Sequence, residues 1–388
     1  MSCNKEQNNA VFFSKIDEVP LHIWAQLECT NNRYFDPAFL NAYQKNHPNI
    51  LFSYLVLLDE TGSAKAFSTI QIINFNINVI KNDFEILKKL GKKFHLLKEN
   101  KPLQLLISGN TFVSGEHGVF IKKGLNKKVV IKEIAKAILA FTNANKNLNI
   151  DAFLMKDFLN ESLIITDELK DYKYHPFSVE PNMVLSIDPN WQNFSDYLAA
   201  MKTKFRVKAK KAFKQSEELK IEDITLQNIE SLLPKMKLLY KSVTINSSFN
   251  LSDFNLETYQ ALKEEFNEAY LLKAFYLDEK LVGYMSGIIN NNSLDAHFVG
   301  IDYSLNRTYA IYQKMLYHYI EIGIDKKLNM INFGRTASEI KSSVGAVPQN
   351  LTMYLRHKKN IKNKILKLFL HRIQPTPFQQ KFPFKKQH

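Results

Sequence analysis

The chain has 388 residues, 45% hydrophobic and 23% charged, an ordinary globular composition that excludes a disordered or collagen-like chain and suits two or three domain cores. Its formal net charge of +14 is concentrated: Lys202–Lys214 holds seven Lys/Arg and Arg356–His388 ten, neither with an acid, so the remainder is slightly acidic. That pattern excludes a uniform basic coat and points to particular phosphate or membrane contacts, with a solvated helix face as the alternative for each run. Cys3 and Cys29 cannot form a disulfide framework and have no metal spacing, which fits a reducing, cytoplasmic compartment. The opening MSCNKEQNNA has no apolar h-region, and no apolar stretch approaches the ~18 residues of a span, so neither secretion nor membrane crossing is expected.

In chain order, periodicity predicts a strand at Val11–Ile16, helices at Leu21–Glu28 and Pro37–Lys45, and strands Leu51–Leu58 and Ala66–Asn74 joined by the turn Asp59–Ser63. A Lys-rich stretch with helical character around Phe84–Leu97 precedes strand Leu103–Ile107, helix Lys128–Ala144, strand Asp151–Lys156, helix Glu161–Leu169 and extended runs His175–Val179 and Met183–Ile187. The second half opens on helix Phe194–Glu217 and strand Lys220–Ile224, then helices Ile229–Lys241 and Leu256–Asn267. Strands Leu271–Leu277, Leu281–Ile289 and Ser293–Ile301 follow, with tight turns at Asp278–Lys280 and Asn290–Asn292. Helix Tyr309–Asp325, strand Asn329–Phe333, a short helix at Ser338–Ser343 and strand Leu351–Leu355 complete it. Both halves run β–α–α–β–β–β–α–β–α–β, without a residue-level repeat.

This doubled order resembles the GNAT (acyl-CoA N-acyltransferase) fold, and two copies in one chain resemble the FemABX-like peptidoglycan aminoacyltransferases and related double-domain acyltransferases. The residues that carry the likeness are the hairpin Ala274-Phe-Tyr-Leu-Asp-Glu-Lys-Leu-Val-Gly-Tyr284, the unit His297-Phe-Val-Gly-Ile-Asp302 leading into Asn306-Arg-Thr-Tyr-Ala-Ile-Tyr-Gln313, and Asn332-Phe-Gly-Arg-Thr336 with Glu339-Ile-Lys341. Similar proteins also place a basic segment like Lys204-Phe-Arg-Val-Lys208 at the start of the second domain. The R-x-x-G-x-G/A pyrophosphate loop of ordinary GNAT enzymes is absent, and Leu305–Ala310 stands in its place without glycine. The resemblance implies an α/β (α+β) chain of two tandem GNAT-like domains, each a mixed central sheet flanked by helices. Residues 1–190 would supply the acceptor cleft, 191–356 the donor and catalytic site, and 357–388 a basic amphipathic tail.

A helix opening after a strand offers unpaired N–H groups to a phosphate, which makes Asn306, Arg307, Thr308, Tyr309 and Ala310 the candidate donor contacts, with ordinary capping by Asn306 as the alternative. Acyl transfer to an amine needs a proton acceptor and a donor to the developing oxyanion. His297 shares a strand face with Asp295 and Val299 by the period-two rule, and Glu339 competes with it as base. A hydrogen-bonded core histidine is the alternative for the first, and a capping box with Thr336 for the second. Arg335 and Lys341 are candidate anion contacts, since capping requires neither. Lys204, Arg206 and Lys208 are expected on an anionic acceptor group; on one helix 206 lies away from 204 and 208. In the first half, Asn110, Glu116 and His117 sit in a glycine-containing segment suited to substrate binding or to a plain hairpin tip. No H-x-x-x-H or H-E-x-x-H spacing exists, and no metal site or permanently bound cofactor is expected.

The expected activity is N-acyl transfer from an acyl thioester, acyl-CoA, to an amine acceptor, lipid-linked or phosphate-bearing, sphingoid bases included. A Fem-type transferase using aminoacyl-tRNA on a peptidoglycan precursor is the alternative, with tRNA as partner; a non-catalytic nucleic-acid-binding protein is the second, DNA not being expected. Residues Lys359–Ile373 form a basic amphipathic pattern which, with Phe382 and Phe384, suggests an anionic membrane surface at the inner face of the cytoplasmic membrane.

Overall fold

The computed structural model describes residues 9–75, 102–246, 251–373 and 375–385. The helical stretch Phe84–Leu97 and Cys3 lie outside these. Two compact units divide the chain: Met1–Val179 with Phe249–Phe254 and Leu351–Gln374, and Glu180–Ser248 with Asn255–Asn350 and Pro375–His388.

The elements are β1 (Ala10–Phe13), α1 (Leu21–Leu27), α2 (Pro37–Asn46), β2 (Leu51–Leu58), β3 (Ala64–Phe75), β4 (Leu103–Ser108), β5 (Val119–Ile121), α3 (Lys127–Ala144), β6 (Ala152–Leu159), α4 (Leu163–Thr166) and β7 (His175–Ser178). They continue with β8 (Asn182–Ser186), α5 (Phe194–Ala200), α6 (Thr203–Gln215), β9 (Leu219–Asp223), α7 (Ile229–Asn246), α8 (Thr258–Phe266), β10 (Tyr270–Leu277), β11 (Lys280–Asn290), β12 (Ser293–Ile301), α9 (Tyr303–Tyr309) and α10 (Ile311–Asp325). Last come β13 (Met330–Asn332), α11 (Ser338–Ser343), β14 (Val347–Gln349), β15 (Leu351–His357) and α12 (Asn360–Leu370).

The first sheet has the order β1-β2-β3-β4-β6-β15-β7, with β5 added on β3, and the second β14-β8-β13-β12-β11-β10-β9. Each has four antiparallel strands, then one parallel pair (β4 with β6, β12 with β13), then an antiparallel end. The two mixed sheets flanked by helices give the doubled α/β arrangement that the element order suggests.

Each sheet takes one inner strand from the other half of the sequence. β8, three residues after β7, pairs with β13 and β14 in the second sheet, while β15, one residue after β14, pairs with β6 and β7 in the first. Counting Leu351–Leu355 with the second half is therefore corrected: Tyr354 packs in the first core and donates its hydroxyl to Asp167 Oδ1 at 2.8 Å. Residues 357–388 are likewise no separate tail. The stretch through 374 belongs to the first unit and the remainder to the second.

Tight turns sit where side chains tolerate left-handed backbone. Asp278 (φ 51°) and Asn291 (φ 52°) open the two-residue loops of the β10–β11 and β11–β12 hairpins. The α3 face of the first sheet buries Ile131, Ile134 and Ile138 against Leu55, Ile70 and Phe153. In the second unit Ile311, Met315, Tyr319 and Ile322 of α10 pack in the core with Met285 and Leu294. The expected single helix Phe194–Glu217 breaks at Met201–Lys202, because the chain end competes for its backbone: Lys202 N donates to Pro383 O at 2.7 Å, and Lys385 N to Ala200 O at 3.0 Å.

Candidate active site

In the second unit β12 and β13 run parallel for three residue pairs only, Ser293–Asp295 against Met330–Asn332. β12 then continues to Ile301 while β13 stops, and among the described residues no strand pairs with the vacated edge of β12. A separating parallel pair at the carboxyl end of a strand is where open α/β sheets place ligands.

The loop leaving β13 at this point is strained. Gly334 (φ 70°), Thr336 (φ 66°) and Ala337 (φ 50°) are all left-handed, and a β-branched residue in that region costs on the order of 1–3 kcal/mol. Gly334 closes against β12, where a side chain at this position would begin 3.9 Å from Ala296 O. Its N–H donates to Asn332 Oδ1 at 2.9 Å. Lys341, on α11, ties the loop down: its Nζ donates to Gly334 O at 3.2 Å and to Arg335 O at 2.6 Å. Lys341 is only 4% exposed, and burial alone pushes its ammonium down to about 7. A neutral amine there keeps two hydrogens for the two carbonyls and leaves its lone pair to take a proton.

Glu339 lies on the exposed side of the same helix and is 2.9 Å from Lys381 Nζ. The capping box considered for it does not form, because left-handed Ala337 occupies the N-cap without a side-chain bond. Arg335 is half-buried in the loop.

His297 is half-buried on β12, one residue past Ala296, with its ring 6.0 Å from that of Tyr270. Burial holds its imidazolium down to about 3, so it is neutral at neutral pH. A bulge between Met285 and Gly287 interrupts the period-two alternation on which pairing of His297 with Asp295 rests. Ser286 fills the bulge, accepting from Phe298 N at 3.0 Å and donating to Phe298 O at 2.9 Å, and its own carbonyl accepts from the Tyr319 hydroxyl at 2.6 Å. Tyr259 and Tyr284 stand nearby, with ring centroids 6.0 Å apart. Sequence reasoning overlooked Ser286 and Tyr284 of β11 and Tyr259 of α8, which no motif marks.

The expected single helix from Tyr309 is two. Asn306–Tyr309 end α9, Ala310 (φ 48°) is the left-handed joint, and α10 opens at Ile311 without a side-chain cap from Ala310. Asn306 serves α10 from a distance, its Oδ1 accepting from Tyr312 N at 2.9 Å. The carbonyls of Arg307 and Thr308 accept from Gln215 Nε2, and both side chains are exposed. On α6, Lys204 and Lys208 are exposed, whereas Arg206 turns back to donate to Met201 O at 3.4 Å.

In the first unit, Glu116 is held inward, accepting from Leu159 N at 3.0 Å and from Ser162 Oγ. The His117 ring lies against that of Tyr34, 4.1 Å between centroids and tilted by 34°. Asn110 fixes its carbonyl by accepting from Phe112 N at 2.9 Å, and Gln71, fully buried on β3, does the same for Thr111 N at 2.8 Å. The amide nitrogens of both are buried without a hydrogen-bond partner among the described residues. The structure thus groups Arg335, Glu339 and Lys341 on the loop-and-helix element that follows β13, with His297 on β12, and Asn110 and Glu116–His117 on another element in the first unit.

No family model matches the chain, and no curated protein matches its sequence. In structure it is similar to FemX, at 10% identity over 84% of this chain and 92% of that one, TM-score 0.50. It is equally similar to a conserved protein of unknown function from Bacteroides thetaiotaomicron, at 12% identity over 87% and 96%, TM-score 0.50. A tandem GNAT protein from the clavulanic acid biosynthesis pathway aligns at 9% identity over 90% and 98%, TM-score 0.47. At these identities the likeness is one of fold alone, a double-domain architecture like that of FemX.

Proposed function

We propose that the chain is an N-acyltransferase in which the second unit binds an acyl thioester, acyl-CoA, along the vacated edge of β12, and the first unit binds the amine acceptor. The observation that carries this reading is Lys341, buried and near-neutral under a strained loop at the mouth of the β12–β13 separation. A donor with a chain of amides can add to a free strand edge as a further strand does. Its phosphates are assigned to Asn306–Ala310 and the opening of α10, where the helix dipole favours an anion.

The acceptor nitrogen attacks the thioester carbonyl, the C–N bond forms, the tetrahedral intermediate collapses with cleavage of C–S, and the thiolate leaves. The proton lost by the nitrogen needs a group that exchanges protons near working pH, and Lys341 fits better than either residue favoured by sequence. His297 at about 3 holds a proton too weakly, and Glu339 is engaged with Lys381. His297 then orients substrate as a neutral imidazole, and Arg335 contacts an anionic group. Lys204, Arg206 and Lys208 of the second unit meet a substrate phosphate; in the first unit Asn110 and His117 bind polar substrate groups, and Glu116 shapes their loop. Acceptors carried by a lipid, sphingoid bases included, agree with a working place at an anionic membrane surface.

The exposed row Lys204, Lys208, Lys210, Lys211 and Lys214 on α6 favours a second reading, an aminoacyl-tRNA donor. Lipid and metabolite profiling of a deletion strain, followed by transfer assays with acyl-CoA and aminoacyl-tRNA in parallel, tests both. An acylated amine lost in the strain and remade from acyl-CoA supports the first reading. Product from aminoacyl-tRNA alone supports the second, and no lost product overturns both.

A further inference from the structure

The basic C-terminal segment divides in the structure, and the division moves the membrane-facing residues. Phe384, expected at the lipid interface, packs instead on Gly345 and on Trp191, 5.3 Å between ring centroids, so it is corrected from lipid ligand to part of the second unit. Helix α12 keeps the amphipathic pattern but uses both faces. One is anchored: Phe369 and Leu370 are buried, and Asn363 accepts from His357 N at 2.8 Å and donates to Lys173 O at 2.9 Å. The other looks outward with Ile361 77% exposed and Leu368 64% exposed, seven residues apart on one stripe with half-buried Ile365. Exposed Lys364, Lys367 and His371 flank this stripe on one side and Arg372 continues it, with Lys358 and Lys359 exposed just before the helix. The sequence holds no acid from Arg356 to His388.

We propose that this outward face of α12 is a docking surface for an anionic lipid bilayer, with Ile361 and Leu368 entering the acyl boundary and the surrounding cations meeting lipid phosphates. Two large apolar side chains bordered by cations along one side and at both ends match an interface that is apolar below and anionic above. A second copy presenting the same charge would be repelled, and a nucleic acid would leave Ile361 and Leu368 in water. The helix is held rigidly by Asn363 and Phe369, so docking requires no ordering on the membrane. This extends the reading of a lipid-carried acceptor, and its test needs no turnover, so either can fail alone.

The full chain is sedimented with vesicles of phosphatidylcholine containing phosphatidylglycerol, and with phosphatidylcholine alone. It should pellet with the first at low salt and not with the second. Ile361→Ser/Leu368→Ser should bind ~10-fold or more weakly, a loss equivalent to about 1.4 kcal/mol, and Lys364→Gln/Lys367→Gln should bind more weakly and with less salt dependence. These side chains are exposed, so melting curves should be unchanged, and either pair alone tests the surface if the other misfolds. Undiminished pelleting of the Ile361→Ser/Leu368→Ser variant, equal binding to neutral vesicles, or no binding overturns the proposal. RNA binding at low salt that survives loss of the apolar pair, without vesicle binding, would identify a polyanion surface instead.

Discussion

Lys381 Nζ lies 2.9 Å from the Glu339 carboxylate, so a residue near the basic chain end closes on the outer face of the helix whose inner face carries Lys341. Lys381 N also donates to Ser342 Oγ at 3.0 Å, and Gln380 Nε2 to Ala346 O at 3.1 Å, which makes the last described residues a strap along α11.

From this arrangement the roles of Glu339 and Lys341 separate. Glu339→Gln removes an exposed ion pair and should change kcat less than about threefold, since such pairs contribute little. Lys341→Met removes the proposed proton acceptor and should lower kcat by ~100-fold or more. Steady-state transfer kinetics of the two variants check this; the reverse ranking would return the base to Glu339.

Stability should carry the signature of Lys341. Its folded pKa of about 7 lies below the ordinary 10.5, so below pH 7 both folded and unfolded chains hold the proton and folding bears the full cost of burying the charge. As pH rises from 7 towards 10.5 the unfolded chain binds more protons, and this contribution to stability rises, by on the order of a few kcal/mol in total. The stability of wild type relative to Lys341→Met, from urea unfolding, should therefore increase between about pH 6 and about pH 9, a span that crosses the folded-state titration. A flat difference would mean that the amine keeps its ordinary basicity. In the same variant pair, kcat/KM of wild type should climb as pH passes through about 7.

What sequence could tell follows from the range of the forces involved. Strands such as Ser293–Ile301 and the helix Ser338–Ser343 match because alternation, turn residues and polar density are local. The polar run after β13 also drew attention to Arg335, Glu339 and Lys341. Three features were hidden because their causes are distant in sequence: the helix break at Met201, made by Pro383 and Lys385; the pairing of Glu339 with Lys381; and the passage of β15 into the first sheet. The near-neutral state of Lys341 was invisible for the same reason, since burial depends on everything packed around a residue.

The exchange of β8 and β15 predicts crossed effects of proline. Leu355→Pro strikes β15 between Leu154 of β6 and His175 of β7, and should weaken the first unit by about 3 kcal/mol or more although residue 355 follows nearly all of the second. Leu185→Pro strikes β8 opposite Ile331 and should weaken the second unit. Hydrogen exchange followed by mass spectrometry should show faster exchange in β2 and β3 for the first variant and in β10 to β12 for the second. Exchange confined to the opposite sheet in either variant would contradict the strand pairing.

The strap can be tested at Gly345. Its φ of 106° is a conformation that side chains rarely adopt, and a Cβ there would clash with Phe384 Cε2. Gly345→Ala must displace the Phe384 ring from its place beside Trp191 and Tyr197, or distort the turn that leads from α11 into β14. The cost should be on the order of 1–3 kcal/mol, combining backbone strain with overpacking. Because the strap joins the second unit through Phe384 and the Lys202–Pro383 and Lys385–Ala200 backbone bonds, its release should appear before global unfolding. Limited proteolysis should then cut Gly345→Ala near Lys381 or Lys385 under conditions that leave wild type intact, while Phe384→Ala in the same chain should relieve the clash and recover part of the lost melting temperature. Unchanged cleavage together with an unchanged melting temperature would show that Phe384 does not occupy this position in solution.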